Sequence, residues 1–455
     1  MSYRISILAG ALSIVATVAL AQPAPSVLVP EACRSAPAGD LKALEERRAR
    51  LEREISSKIG SSLAAKAREK IDPGLRKSQE ELLQIVFRIE CARSFQPAQP
   101  ATRPAAATEA TRSAAPRMRS VAAPTPPGEL IEITTYYATN RNATGSAEPA
   151  KAYGSEVASK FQYGRALVTI PPTHTPGNLE LPSLFRLERE PDPNKHFVLK
   201  SVTPLDSDAA RKEMADRLQG FQSKAMLIFV HGYNTGFEYA ALRTAQIAHD
   251  LRFPGIPFFY SWPSANQVTG YWQDEEAARL SEGVFEQLIE ELSQLPVTDV
   301  YIVAHSMGNR IVGHALQARV DKGKETKHLR EILLAAPDIN ANIFRSVIAP
   351  KLIAMQGTRT TIYAASSDVA LMASKFVHGF KRVGDTTGGV FVYPGLETID
   401  ASSAASMGRG YGHLYVVDSQ SVMGDIRSII AHKGPAKARG LSSAGSAPDF
   451  YWRLP

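Results

Sequence analysis

The spacing of hydrophobic residues changes character along the chain. Between Asp40 and Ile59, Leu41, Leu44, Leu51, Ile55 and Ile59 recur at three-, four- and seven-residue intervals among Glu and Arg. That spacing predicts an amphipathic helix with pairable charges on its outer face. Pro73-Gly74 interrupts it, and Leu82, Val86 and Ile89 then line one side of a second helix ending before Cys91. Together the two predict an αα-hairpin over 22–93. From Ser94 to Gly128 no period survives. Pro and Ala dominate and acidic residues almost vanish, so 94–128 reads as a flexible linker and as the main domain boundary.

Beyond the linker, short apolar β-branched runs alternate with helical patterns. Leu130–Tyr137, Tyr163–Ile170 and His196–Val202 predict three early strands, paired antiparallel. From Ala225 the rhythm becomes strand, turn, helix. Strands are predicted at Met226–Val230, Ile256–Tyr260, Val300–Val303, Ile332–Ala335, Thr360–Ala364 and around Phe391–Val392. Helices are predicted after the first of these, through Asp250, and from about Asp274 to Leu292. The implied fold class is α/β, a mostly parallel sheet with helices on both faces, spanning 129–432. Residues 433–455 read as a tail whose Ala/Gly/Ser-rich part is loose and whose final aromatics pack back onto the domain.

One run stops abruptly. Val300–Val303 gives way to Ala304-His305-Ser306-Met307-Gly308, and a helical pattern of Ile311, Val312, Ala315 and Leu316 follows. Strand, sharp turn and helix around small-x-Ser-x-small is the setting of a nucleophile elbow. Gly308 meets the demand for a small residue in full, and Ala304 is one methyl larger than the usual Gly.

Composition adds compartment and excludes some partners. At 455 residues the chain is long for one domain, and 44% hydrophobic with 21% charged residues is ordinary for a globular protein. The net charge of +7 is dispersed, with no recognition helix or aromatic-interleaved basic groove, so no nucleic-acid partner is expected. Arg4, the apolar run Ile5–Leu20 and the ending Ala19-Leu20-Ala21 read as a cleaved signal peptide over 1–21, which predicts a periplasmic or secreted protein. An uncleaved N-terminal anchor is the weaker alternative, since the run is short for a span. Two cysteines in an exported chain, Cys33 and Cys91, suggest a disulfide closing the hairpin. No metal-ligand spacing or cofactor fingerprint is evident.

A serine hydroxyl needs a base, and the base needs an orienting acid. After Ser306 the histidines are 314, 328, 378, 413 and 432. His413 lies in a Gly-rich loop, GRGYGH, beyond the last predicted strand and is the expected base, with His378 as runner-up. For the acid, Asp368 follows the strand Thr360–Ala364, and Asp338 follows Ile332–Ala335 as the alternative. Both sit where parallel strands deliver side chains to the C-terminal edge. The oxyanion donors are expected at the backbone N–H of Met307 and of Tyr233 in His231-Gly232-Tyr233-Asn234. His231 and His305 read as scaffolding.

Taken together, several motifs resemble an uncharacterised bacterial family of esterase/lipase-like α/β-hydrolases. They are Thr134–Arg141, Tyr163-Gly164-Arg165, Ile170–His174, the HGYN loop, Ser261–Ser264, Tyr271, Asp274, Ala304–Gly308 and Ser366–Leu371. The resemblance runs from about Leu130 to His432 and implies the α/β-hydrolase fold with a Ser306–Asp368–His413 triad. The resulting expectation is a serine hydrolase of small or lipid-like carboxylic esters, without cofactor. Acyl transfer or amide cleavage on the same triad is the enzymatic alternative. A second alternative is an envelope binding or assembly protein, associated with the membrane surface through its N-terminal region, whose hydrolase fold is inert.

Overall fold

β4 (Ala225–Val230), β5 (Gly255–Ser261) and β6 (Asp299–His305) are buried at every position, as strands must be when apolar cover lies on both faces. These strands come from a computed structural model. It describes residues 41–64, positions 77–78, 81–82 and 84–85, and 130–454 apart from 183–187, 189, 268–269, 367, 408–414 and 447–449. The signal peptide, Cys33, Cys91, the linker and His413 all lie outside the described residues.

The remaining strands are β1 (Ile131–Ala143), β2 (Tyr153–Ile170), β3 (Val198–Leu205), β7 (Leu329–Ala335), β8 (Arg359–Ala364), β9 (Glu397–Asp400), β10 (Ser442–Ala444) and β11 (Tyr451–Arg453). They form one 11-stranded sheet in the order β10-β11-β9-β8-β7-β6-β4-β5-β1-β2-β3. From β11 to β1 every pairing is parallel, and β1–β2, β2–β3 and β10–β11 are antiparallel. The chain is therefore α/β with a mostly parallel sheet.

The principal helices are α1 (Leu41–Ala64), α2 (Ser207–Gln219), α3 (Phe237–Leu251), α4 (Tyr271–Leu292), α5 (Gly308–Asp321), α6 (Val369–His378) and α7 (Gln420–His432). Alternation along the strands divides the core in two. Met226, Ile228, Val230, Val300, Ile302 and Ala304 face the apolar sides of α2, α4 and α5. Leu227, Phe229, Tyr301 and Val303 face α3 and α7. Among the described residues no helix is long and apolar enough to cross a membrane.

Four regions differ from the sequence reading. β1 does not stop at Tyr137. It runs on to Ala143, because β5 pairs with it as far as Thr139 and β2 as far as Ala143. Phe391–Val392 is not a strand. Phe391 is buried edge-on against Phe344, so packing alone accounts for its apolar character, and the parallel strand comes later, at β9. The C-terminal residues extend the sheet, β11 pairing with β9 and β10 with β11. Finally, α1 packs against α6, and its Leu44, Leu51 and Ile55 join the same core as α4 and α5. Arg47–Glu81 at 2.7 Å and Ser78–Glu54 at 2.8 Å tie α1 to the helical positions 77–78 and 81–82.

The C-terminal extension is locked by a fully buried guanidinium. Arg439 donates to Asp425 at 2.8 Å, to Glu397 at 3.0 Å and to the Gly434 carbonyl at 2.9 Å. Asp425 also accepts from the Tyr363 hydroxyl at 2.7 Å, which joins α7, β8, β9 and the tail in one network. Removing one partner of such a network leaves buried carboxylates uncompensated, at a cost of about 3–5 kcal/mol. Arg439→Ala is expected to lose about that much in urea unfolding. A loss below about 1 kcal/mol would mean that the tail is not integral to the sheet.

Candidate active site

Ser306 sits between the end of β6 and the start of α5 with φ at +52°. A non-glycine residue held there costs of order 1–3 kcal/mol, so neighbouring contacts must impose it. Ser306 N–H donates to the Ala335 carbonyl at 2.9 Å. Its own carbonyl accepts from the Asn309 side chain at 2.8 Å and from the Asp338 N–H at 3.3 Å. Two glycines explain why the chain can pass. A Cβ on Gly308 would lie 2.4 Å from the His231 carbonyl oxygen and 2.8 Å from that of Val230, so β4 and α5 touch backbone to backbone. A Cβ on Gly232 would lie 2.8 Å from the Ser306 Cβ, which places the loop after β4 directly on the serine. Ala304 is accommodated without strain inside β6, paired with Val230 and Leu334.

Ser306 is thus flanked by two backbone segments rich in N–H groups. Met307 is the N-cap of α5, where first-turn amides lack intrahelical partners and the helix dipole favours negative charge. On the other side runs His231–Thr235, with Asn234 at φ +53°. Asp274, at the start of α4, shapes this loop by accepting from Asn234 N–H at 2.9 Å, Ser264 Oγ at 2.5 Å and Ala265 N–H at 2.6 Å.

Arg141 completes the scaffold from beneath. Its buried guanidinium donates to Ser261 Oγ (2.8 Å), Gly154 O (2.9 Å), Ser264 O (3.0 Å) and Thr235 O (2.7 Å), and lies 3.4 Å from His231 Nε2. Burial lowers its pKa to about 9, opposed by the charge of Asp274, so it remains a cation near neutrality. His231 in turn is stacked on Trp262 at 5.0 Å, and its carbonyl accepts from the Trp262 indole at 2.8 Å. Burial, then the Arg141 charge, holds the His231 pKa well below the usual imidazole value. A neutral ring accepting from Arg141 at Nε2 and donating from Nδ1 to Gly232 O, 2.9 Å away, is scaffolding, as its sequence context implied.

At the acid position, Asp368 is buried beyond β8, and its carboxylate caps α6 by accepting from Leu371 N–H at 3.0 Å. β8 lies beside β9, with Ala364 opposite Asp400, so Asp368 and the connection leaving β9 share one edge of the sheet. That connection carries His413, outside the described residues. Two positions later, Tyr415 is buried with its hydroxyl on the Tyr363 carbonyl at 3.0 Å. Burial, then the charges of Asp368 and Asp400, raises its phenol pKa.

The other candidates are engaged elsewhere. Asp338, the alternative acid, has both oxygens taken. Ser374 donates at 2.5 Å and Tyr271 at 2.6 Å, while Arg310 and Arg382 each approach to 3.2 Å. Burial alone would raise its pKa, but Arg310 and Arg382 outweigh it and hold it below the usual carboxylate range. Such a carboxylate is a structural anion, with no oxygen left to orient an imidazole. His378 faces Glu275 at 3.2 Å and bonds back to the Ser374 carbonyl at 2.9 Å. His314 lies along α5 against Gln317 at 3.3 Å. The His328 carbonyl bonds Val300 N–H at the opposite end of β6 from Ser306.

The sequence reading missed this charged cluster. Its members, Glu275, Arg310, Asp338, Ser374, His378 and Arg382, come from separate segments, and only packing brings them together. Arg310 bonds both Glu275 and Asp338, and Tyr271 links the cluster to Tyr233 through an edge-on ring contact at 5.2 Å.

A methyl at position 232 would press on Ser306. Gly232→Ala is therefore expected to slow the reaction of Ser306 with a fluorophosphonate probe about 10²-fold, while circular dichroism stays native. Undiminished labelling would separate the loop from Ser306. The cluster predicts an acid limit to stability. Burial would raise the Glu275 pKa, but His378 and Arg310 outweigh it and bring the value from 4.5 to about 2. A depressed carboxyl contributes stability above its unfolded pKa that is lost as pH falls through the folded one. Melting temperatures measured between pH 5 and 2 should fall less steeply in Glu275→Gln than in the parent. Parallel curves would contradict the assignment.

Residues 206–429 match the family model described as "Alpha/beta hydrolase of unknown function (DUF900)". No curated protein matches the chain. Solved structures similar to it include lipase B of Aspergillus fumigatus, at 12% identity over 58% of this chain and 64% of the lipase, with a TM-score of 0.31. Fungal esterases of Rhizomucor miehei match at 12% identity over 67% of this chain and 83% of theirs, with a TM-score of 0.28. A thermostable esterase of Pseudomonas putida matches at 12% over 66% and 81%, also with a TM-score of 0.28. This chain spans less than two thirds of the lipase's own length, and no substrate follows from likenesses this distant. By its sheet, its strand–serine–helix turn and the match over 206–429, the chain has the α/β-hydrolase fold and is similar over that region to this family of unknown function.

Proposed function

We propose that this protein is a serine hydrolase of carboxylic esters that works through an acyl-enzyme on Ser306. The observation that carries the reading is the backbone at Ser306. A serine at φ +52°, between the N-terminus of α5 and a loop packed against its Cβ, is built to present a hydroxyl beside N–H donors.

In this mechanism His413 takes the Ser306 proton as Oγ attacks the ester carbonyl. Asp368 fixes the imidazole tautomer and stabilises its charge, and the Met307 and Tyr233 amides receive the oxyanion. His413 then returns the proton to the departing alcohol, and water, activated by the same imidazole, releases the acid. Lipid-like or small esters and an exported location belong to the same proposal. Acyl transfer and amide cleavage would share the acyl-enzyme and differ only in acceptor or leaving group.

The test is covalent. A fluorophosphonate probe should label the purified chain and fail on Ser306→Ala, and Asp368→Asn should lower turnover of p-nitrophenyl esters by about 10²–10⁴-fold. Labelling that persists in Ser306→Ala would discard the nucleophile. A series of acyl-chain lengths in the same assay identifies the preferred substrate class.

A further inference from the structure

At the edge of the sheet opposite Ser306, the chain leaves β2 through Pro171-Pro172 and brings His174 against the end of α3. The position follows from the register, since Ile170 lies opposite Ile131 at the start of β1, and β1 runs parallel to β5. There His174 Nε2 lies 2.8 Å from Asp250 Oδ1, and its Nδ1 lies 2.8 Å from Glu180 Oε2. His249 stands edge-on to His174 with ring centroids 5.4 Å apart. The ligating atoms of His174, His249 and Asp250 all lie within 4.8 Å of one another.

We propose that His174, His249 and Asp250 form a binding site for a divalent transition-metal ion of the zinc type. Two imidazoles and one carboxylate are a donor set such an ion favours, and three protein ligands leave a fourth position for water. The surroundings supply the outer shell. Glu180 takes the far nitrogen of His174, an arrangement that fixes tautomer and ring orientation in carboxylate–histidine–metal sites. The second oxygen of Asp250 is held by Gly177 N–H at 2.7 Å and Gln246 Nε2 at 2.5 Å, which leaves Oδ1 aimed at His174. Glu180 is itself fixed by Thr175 N–H at 3.0 Å. The charges also balance, with two carboxylates against a dication and both imidazoles neutral. His174 and Asp250 are almost wholly buried, and half-buried His249 gives the ion its way in.

A metal here would join the loop after β2 to α3. Gly177, in that loop, packs on the Asp418 carbonyl, where a Cβ would come within 2.4 Å, so the joint reaches the segment that follows position 413. Ser306 takes no part in it.

The full-length chain, stripped with EDTA and dialysed, is titrated calorimetrically with Zn²⁺. One ion per chain and a raised melting temperature are expected. Co²⁺ in its place should give the visible absorption of a protein-bound ion of low coordination number. His249→Ala, at a partly buried position, should keep the native circular dichroism and weaken binding at least tenfold. Glu180→Gln should weaken it about 10–100-fold, as outer-shell changes do. Absence of stoichiometric binding, or affinity unchanged in both variants, would overturn the site and leave Glu180–His174–Asp250 as an ion triad held by protons. Ser306→Ala should bind Zn²⁺ like the parent, so the outcome is independent of the esterase reading.

Discussion

The architecture of the candidate site depends on one backbone contact. Gly308 at the head of α5 meets the carbonyls of Val230 and His231 at the foot of the neighbouring loop, closer than any side chain would permit. α5 is drawn down onto β4, and Ser306, the residue joining β6 to α5, sits at positive φ. The same approach brings Gly232 against the serine. The Ser306 turn, the helix N-terminus and the 231–235 loop therefore meet at a single steric contact.

A condition that strains the backbone needs a rigid frame, and buried charge supplies it on two sides. Arg141 holds the 231–235 loop through carbonyl and hydroxyl oxygens. Its charge is spread over several dipoles, with Asp274 acting on it through space. Burying a guanidinium in this way is costly unless every donor is satisfied, which makes the arrangement intolerant of alternatives. Asp338 does the corresponding work on the far side, binding α5 through Arg310, α4 through Tyr271 and α6 through Ser374. Since α6 is capped by Asp368, the carboxylate that looked like a spare acid helps to place the other one. α1 packs on α6 as well, which makes the N-terminal helix a neighbour of this frame.

The centre of the fold was legible because its elements are local. Uninterrupted apolar runs such as AMLIFV can only be strands covered on both sides, and the helical periods between them require parallel crossovers. The edges of the sheet were less legible. β11 is only three residues long and is defined by its partner β9, so Tyr451–Arg453 carries no pattern of its own. Phe391 misled for the converse reason, being buried by a ring contact without any pairing.

The amino-acid sequence by itself determined the strand–turn–helix at Ser306, the small residue at Gly308 and the short HGYN turn. Each of these rests on residues within a few positions of one another. Only the tertiary structure decided which carboxylates are engaged and which side chains share charge. Asp338 and Asp368 look alike as strand-end aspartates, yet one is saturated by Arg310, Arg382, Tyr271 and Ser374 while the other caps a helix at the edge shared with β9. His174 and Asp250 likewise meet only through folding. The reason is physical: steric demands on the backbone act between neighbours in sequence, whereas electrostatic and hydrogen-bond partners act between neighbours in space.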